Sequence, residues 1–215
     1  MSYLGSIGRT EAKDLLVSLI ALTVAFSIVG ERRLPGAEVF LISAIGVGTG
    51  FLLHEMAHKF AAQRYGYWAE YRANLTGLIL VVILAFAGFI LAAPGAVMIR
   101  KISDAPDAWR GPASLEQMEE RAVREELAIS LAGPMTNILL VFFFFLLMAI
   151  GATKGGFIAS AASFALFINL YLAAFNLLPF GPLDGKKVYD SNPLVWAIVA
   201  VPTILATLSI ILGIW

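Results

Sequence analysis

The chain has 215 residues, no formal net charge and no cysteine. Hydrophobic residues make up 60% of it and charged residues only 14%, with a mean hydropathy of +0.85, whereas soluble domains are about half apolar and about a quarter charged. This is the composition of an integral membrane protein; it excludes disulfides and thiolate metal sites, and no strongly basic segment suggests a nucleic-acid partner.

Apolar stretches long enough to cross a bilayer as a helix recur along the chain. They lie at about 15–30, 37–62, 75–99, 127–150, 157–179 and 194–215. The first could also be a signal-peptide core, but the spans that follow it favour a membrane anchor. We predict an all-α polytopic membrane protein with five to six transmembrane helices. Residues 1–215 would form one domain, with a core at about 37–190 and accessory spans at 15–30 and 194–215.

The second apolar stretch contains the sequence HEMAH, residues 54–58. In a helix, His54 and His58 stack on one face and can bind one metal ion, while Glu55 lies about 100° around the helix, near a metal-bound water. This is the H-E-x-x-H arrangement of zinc metalloproteases. Ionisable groups within a span are costly and are usually functional. The alternatives are histidines that hydrogen-bond between helices, or a proton relay in a transporter.

The longest polar stretch, residues 100–126, leads into the fourth apolar stretch. Ser114 and Gln117 fit a capping box that begins a helix, and the apolar positions that follow recur at helical spacing. We therefore predict an interfacial helix leading into the span. Within that span, we expect Gly133 to allow close helix packing and Asn137 to hydrogen-bond between helices.

A catalytic zinc ion usually has three protein ligands and an open position for water. Since the chain has no cysteine and no third histidine, the third ligand should be a carboxylate. The carboxylates that adjoin apolar segments are Glu38, Glu70, Asp184 and Asp190. Glu38 is about 24 Å from His54 along a helix, which is too far. Asp184 is favoured because Pro179 and Pro182 make its surroundings irregular, and irregular backbone at membrane depth must be buried or line a wet cavity.

HEMAH and NLLPFGPLDG (176–185) resemble the two motifs of the site-2 protease family of intramembrane zinc metalloproteases, H-E-x-x-H and N-x-x-P-x-x-x-L-D-G. AGPMTN (132–137) resembles the middle core helix of that family, so the resemblance covers about 37–190. It implies that His54, His58 and Asp184 bind Zn²⁺, that Glu55 is the general base that activates water, and that Asn176 lies near the scissile carbonyl. The implied function is hydrolysis of peptide bonds within or near transmembrane segments of membrane proteins in the lipid bilayer.

The two motifs also constrain the topology. His54 lies near the exit of its span and Asp184 follows the end of another, so a shared zinc ion requires parallel spans with an odd number of crossings between them. If 75–99 enters and returns, twelve of the fifteen Lys and Arg residues lie on the N-terminal side, and three, Arg32, Arg33 and Lys154, lie on the other. The positive-inside rule favours this arrangement. We therefore predict five full spans, a re-entrant element with an extended return limb at 93–99, and a cytoplasmic N-terminus in the cell membrane.

Strand-like segments after the first motif are thought to pair with substrate in the family, although the apolar stretch 75–92 departs from its simpler pattern. Two other classes of protein remain as alternatives. One is a membrane metalloprotease that trims prenylated C-termini, whose third ligand is usually a later glutamate; the complete L-D-G sequence argues against it. The other is a non-proteolytic transporter or scaffold with a polar metal or proton site.

Overall fold

The computed structural model of the chain describes residues 6–29, 35–88, 90, 94–101, 114–151 and 155–214. In chain order the elements are α1 (Arg9–Val29), α2 (Ala37–Val47), a π-helical turn (Gly48–Leu52), α3 (Leu53–Arg64), β1 (Tyr67–Ala73), α4 (Leu75–Phe86), β2 (Gly95–Lys101), α5 (Leu115–Ala149), α6 (Gly156–Asn176), α7 (Asp184–Ser191) and α8 (Pro193–Ile211). Five helices of the described part are long and apolar enough to cross a membrane: α1, the continuous stretch Ala37–Arg64, α5, α6 and α8. The chain is therefore an integral multi-pass membrane protein, as predicted.

The predicted re-entrant segment forms a short helix between two paired strands. α4 has 12 residues and is about 18 Å long, which is too short for a hydrocarbon core of about 30 Å. β1 and β2 are antiparallel, in a register that runs from Tyr67↔Lys101 to Ala73↔Gly95. The chain therefore leaves along β1 and returns along β2. The five spans and the partly extended element are confirmed, although Ala93 of the predicted return limb lies outside the described residues.

The span that carries HEMAH runs parallel to α6. A Cβ added at Gly46 would lie 3.5 Å from Ala165, and one added at Gly50 would lie 2.9 Å from Leu172. The later glycine of the HEMAH span therefore lies against the later residue of α6, as expected for parallel helices. Close contact between the two helices depends on glycine at both sites. The parallel arrangement places the exit of each helix on the same side of the bundle.

α5 supplies the one full crossing between these two parallel spans. Ser114 caps it through the predicted capping box with Gln117, and the helix then continues for 35 residues without a break. Its length of about 52 Å exceeds the hydrocarbon core, so the predicted interfacial helix is the first part of the spanning helix itself. α5 runs antiparallel to α3, because Asn137 contacts His54 and the earlier residue Ile129 contacts His58.

The N-terminal helix is fastened to α3 and to the sheet by buried charges. The Lys59 ammonium lies 2.5 Å from Glu11 Oε2, and both side chains are buried. Glu11 Oε1 accepts the N–H of Tyr71 at 3.1 Å, and Asp14 Oδ2 accepts that of Ala73 at 3.4 Å. Two carboxylates of α1 therefore cover the outer edge of β1. Each charge of the Glu11–Lys59 pair needs the other, because an unpaired buried charge is strongly destabilising.

The side chain of Tyr71 packs the sheet against α1 and the π-helical turn. Its hydroxyl lies 2.9 Å from Ser18 Oγ, and its ring meets Phe51 edge-on at a centroid distance of 5.5 Å. Burial raises the pKa of Tyr71 far above its usual range, so the phenol stays neutral and hydrogen-bonded. The sheet therefore has a fixed position beside the HEMAH helix.

The outer edge of β2 differs from that of β1. Because the N–H groups of Tyr71 and Ala73 point towards α1, their partners Val97 and Gly95 belong to non-hydrogen-bonded pairs of the ladder. The backbone polar groups of Val97 and Gly95 therefore point away from β1. This edge of β2 faces the cavity described next.

Candidate metal centre

Three side chains bring one potential ligand atom each to the same point. His54 and His58 lie one turn apart on α3, and Asp184 is the first residue of α7. His58 Nε2 lies 3.0 Å from His54 Nε2 and 3.0 Å from Asp184 Oδ2, and His54 Nε2 lies 3.4 Å from Asp184 Oδ2. Ligands of tetrahedral zinc are about 3.3 Å apart when zinc–ligand bonds are about 2.0–2.1 Å. The triangle therefore fits three corners of a zinc site, and it is the one such group found among the described residues.

Both imidazoles are oriented through their other ring nitrogens. His54 Nδ1 lies 2.6 Å from Asn137 Oδ1, and His58 Nδ1 lies 2.7 Å from the carbonyl oxygen of Ile129. These oxygens only accept hydrogen bonds, so each Nδ1 carries the proton and donates it. Each Nε2 is then left with the lone pair that a metal ion requires.

Asn137 is itself held in one orientation. Its Nδ2 donates to the carbonyl of Gly50 and to Asn169 Oδ1, each at 3.1 Å. Asn169 Nδ2 in turn donates to the carbonyl of Ala165 at 2.8 Å. Backbone carbonyls at both ends fix which amide atoms donate, so Asn137 Oδ1 must accept from His54. The predicted interhelical role of Asn137 is confirmed, and the same side chain also orients a metal-site histidine.

Gly133 leaves room for the two imidazoles. A Cβ at this position would lie 2.3 Å from His58 Nε2 and 2.6 Å from His54 Nε2. The predicted role of Gly133 in close helix packing agrees with this contact, since the missing side chain lets α5 approach the two histidine rings of α3. Any side chain on this face of α5 would occupy the position of the candidate ligand atoms.

Asp184 is positioned by an irregular segment at 177–183 between α6 and α7. The indole N–H of Trp196 donates to the carbonyl of Leu177 at 2.8 Å, and a Cβ at Gly185 would lie 2.1 Å from that carbonyl oxygen. The predicted break after α6 is confirmed, and glycine lets α7 begin directly against it. Asp184 is mostly buried, and its Oδ2 faces the two Nε2 atoms, where a carboxylate oxygen is a donor suited to a cation.

A cavity of about 130 Å³ adjoins this cluster, with room for several water molecules. The polar and charged residues that line it are His54, Glu55, His58, Ser130, Asn176, Asp184 and Lys187. Glu55 is buried, and Asn176 Nδ2 uses one N–H on the carbonyl of Leu172 at 3.0 Å, which leaves its second N–H. All five site residues predicted from the sequence therefore border one cavity, which β2 also lines.

The alternative carboxylates lie elsewhere. Glu38 is exposed at the start of α2, Glu70 pairs with Arg72, and Asp190 pairs with Lys186. None of them belongs to the metal-binding group in the described part of the chain.

Two residues near the site were missed in the sequence. Asn169 could have been identified from the sequence, since a buried amide within an apolar span is expected to have a specific partner. Lys187 was also detectable, because it follows Asp184 by three residues and so shares its helix face.

Comparison with known proteins gives the family. The profile of peptidase family M50 matches residues 42–153, slightly more than half of the chain. MJ0611 of Methanocaldococcus jannaschii, a candidate zinc metalloprotease, is 42% identical over 197 residues, which are 91% of this chain and 92% of the relative. The chain belongs to peptidase family M50. YwhC of Bacillus subtilis, also a candidate zinc metalloprotease, is 27% identical over 160 residues, 65% of this chain and 64% of the relative. No solved structure gives a significant match.

Family membership confirms the resemblance to site-2 proteases and the assignment as a zinc metalloprotease. The match favours the metalloprotease over the transporter and scaffold alternatives. The matched profile ends before Asp184, whereas the alignment with the archaeal relative covers nearly the whole chain. The convergence of Asp184 with the two histidines is therefore an observation of the structure itself.

Replacing Asn137 with alanine should weaken zinc binding about 10- to 100-fold, because His54 loses the acceptor that fixes its tautomer and ring orientation. Titration of the purified protein with a zinc-buffering chelator measures this change. Thr136→Val is the matched control, since among the described residues the Thr136 hydroxyl bonds only to the Ala132 carbonyl of its own helix. Unchanged zinc affinity in a folded Asn137→Ala variant would contradict the positioning role.

Proposed function

We propose that this M50 peptidase is an intramembrane endopeptidase that hydrolyses peptide bonds within or near transmembrane segments of membrane proteins. The observation that carries the proposal is the convergence of His54, His58 and Asp184 beside Glu55, in a cavity bounded by spanning helices. Zinc held by the first three residues would supply Lewis-acid activation of water and of the scissile carbonyl. The two neutral imidazoles and one carboxylate match the donor set of catalytic zinc sites.

Glu55 is proposed as the general base. It directly follows His54 on α3, is buried, and lines the cavity that can hold water. Its carboxylate can accept a proton from the attacking water and deliver it to the leaving amine, which is the usual division of work for a positioned carboxyl group. The second N–H of Asn176 can donate to the oxyanion that develops on the carbonyl.

The outer edge of β2 is proposed to hold the substrate in extended form. A transmembrane helix satisfies its own backbone hydrogen bonds, so a peptide bond within it must be unwound before water can attack. The outward-pointing backbone groups of Gly95 and Val97 border the metal-site cavity and can pair with such a segment. The corresponding edge of β1 is already covered by Glu11 and Asp14.

The orientation in the membrane follows from charge. With this re-entrant arrangement, all eleven Lys and Arg residues of the described part of the chain lie on the side of the N-terminus. By the positive-inside rule we propose a cytoplasmic N-terminus, with the protein in the cell membrane and the metal site towards the cytoplasmic side. Water would reach the cavity from that side.

Replacing Glu55 with glutamine should lower the rate of cleavage by about 10²- to 10⁴-fold, because the amide cannot accept the proton. The side chain keeps its volume, so zinc content should not change. Purified wild-type and variant proteins are compared on a panel of reporter proteins with a single transmembrane segment, and the fragments are located by mass spectrometry. The proposal fails if zinc-loaded wild-type protein cuts no reporter near its apolar segment, or if the variant cuts equally fast.

Replacing Val97 with proline should slow cleavage and leave zinc content intact. Proline removes an N–H that points to the free edge of β2, so the ladder with β1 is preserved while one bond to substrate is lost. Val97→Ala is the control, since it shortens the same side chain and keeps the N–H. Equal cleavage by the proline and alanine variants would contradict the pairing of substrate with β2.

A further inference from the structure

Lys187 lies at the metal-site cavity and has no role in the mechanism above. It is on α7, three residues after Asp184, so the two side chains share one face of this helix. Among the described residues that line the cavity, it is the one lysine or arginine. It is solvent-exposed, while Asp184 is mostly buried, so the ammonium lies towards the mouth of the cavity.

The preceding lysine has a different environment. Lys186 forms an ion pair with Asp190, one turn further along α7. In the described part of the chain, no hydrogen bond or ion pair is found for Lys187. Lys187 and Glu55 line the same cavity. Of these two adjacent lysines, Lys187 lines the cavity and has no ion-pair partner among the described residues, whereas Lys186 is paired with Asp190.

Filling the cavity would change the surroundings of this charge. Water satisfies the exposed ammonium when the cavity is open. The walls of the cavity are largely apolar, and they include Leu22, Val97 and Leu172. A peptide segment that displaces water from the mouth leaves the ammonium poorly solvated unless the segment supplies an anion. A carboxylate is the anion that a peptide carries.

We propose that Lys187 is a specificity-determining residue that binds a carboxylate of the substrate close to the scissile bond. This inference rests on the proposed function, since it concerns the substrate of the same site. The carboxylate has two possible sources, an Asp or Glu side chain or a free C-terminus. The first selects membrane segments with an acidic residue near the cleavage point, and the second selects segments that end there.

The test measures binding, so it does not depend on finding a physiological substrate. Three peptides with an electrically neutral BODIPY label share a short alanine- and leucine-rich sequence. One has a central glutamate and an amidated C-terminus, one has glutamine and an amidated C-terminus, and one has glutamine and a free C-terminus. Fluorescence anisotropy with zinc-loaded, full-length protein in detergent gives each affinity. Wild-type protein should bind one of the two carboxylate peptides about tenfold more tightly than the uncharged peptide, and the preferred one identifies the source.

Lys187→Met should abolish this preference and bind the uncharged peptide at least as tightly as the wild type does, because no ammonium is then desolvated. Lys187→Arg should retain the preference, and Lys187→Glu should reverse it towards a peptide with central lysine. Lys186→Met is the matched control and should keep the wild-type preference. Equal affinity of the wild-type protein for all three peptides, or no binding of any, would overturn the proposal, as would a preference that survives Lys187→Met. Discriminating binding without cleavage of any membrane reporter would instead count against the proposed endopeptidase function.

Discussion

The hydrogen bonds donated by the two Nδ1 atoms are the constraint on which the metal centre depends. His54 donates to Asn137 and His58 donates to Ile129, both on α5. These bonds set the tautomers, turn both Nε2 atoms towards Asp184, and require α5 to cross α3 at contact distance. Gly133, between the two acceptors, permits that distance. The close packing of α5 on α3 therefore also determines which nitrogen of each histidine is protonated.

The second constraint is asymmetry in the two-stranded sheet. A two-stranded sheet has two edges, and an extended chain can pair with either of them. Carboxylates of α1 occupy the N–H groups on one edge, and the buried Glu11–Lys59 pair fastens the same helix next to His58. The other edge is left at the cavity. A span that we predicted as accessory thus takes part in fixing both the HEMAH helix and the sheet beside it.

Much of this arrangement was predictable because the chain offers few choices. With two histidines and no cysteine, the third ligand had to be a carboxylate. Pro179 and Pro182 indicated the irregular backbone beside which Asp184 lies. The odd number of crossings between the two parallel spans followed from the need for His54 and Asp184 to meet. The hydrogen-bond partners could not be predicted, since Asn137 of α5 and Asn169 of α6 meet only through the packing of these two helices. The same holds for the ion pair of Glu11 with Lys59, which are far apart in sequence and are joined by tertiary packing alone.

The most direct test of the account is the zinc content per chain of detergent-purified protein, compared with that of Asp184→Ala. The account predicts one zinc ion in the wild-type protein and a loss or strong weakening in the variant, because Asp184 supplies the third ligand to His54 and His58. Asp190→Ala, on the same helix but outside the cluster, should bind zinc as the wild type does. Equal zinc binding by wild type and Asp184→Ala, or a folded wild-type protein that takes up no zinc when it is supplied, would contradict it.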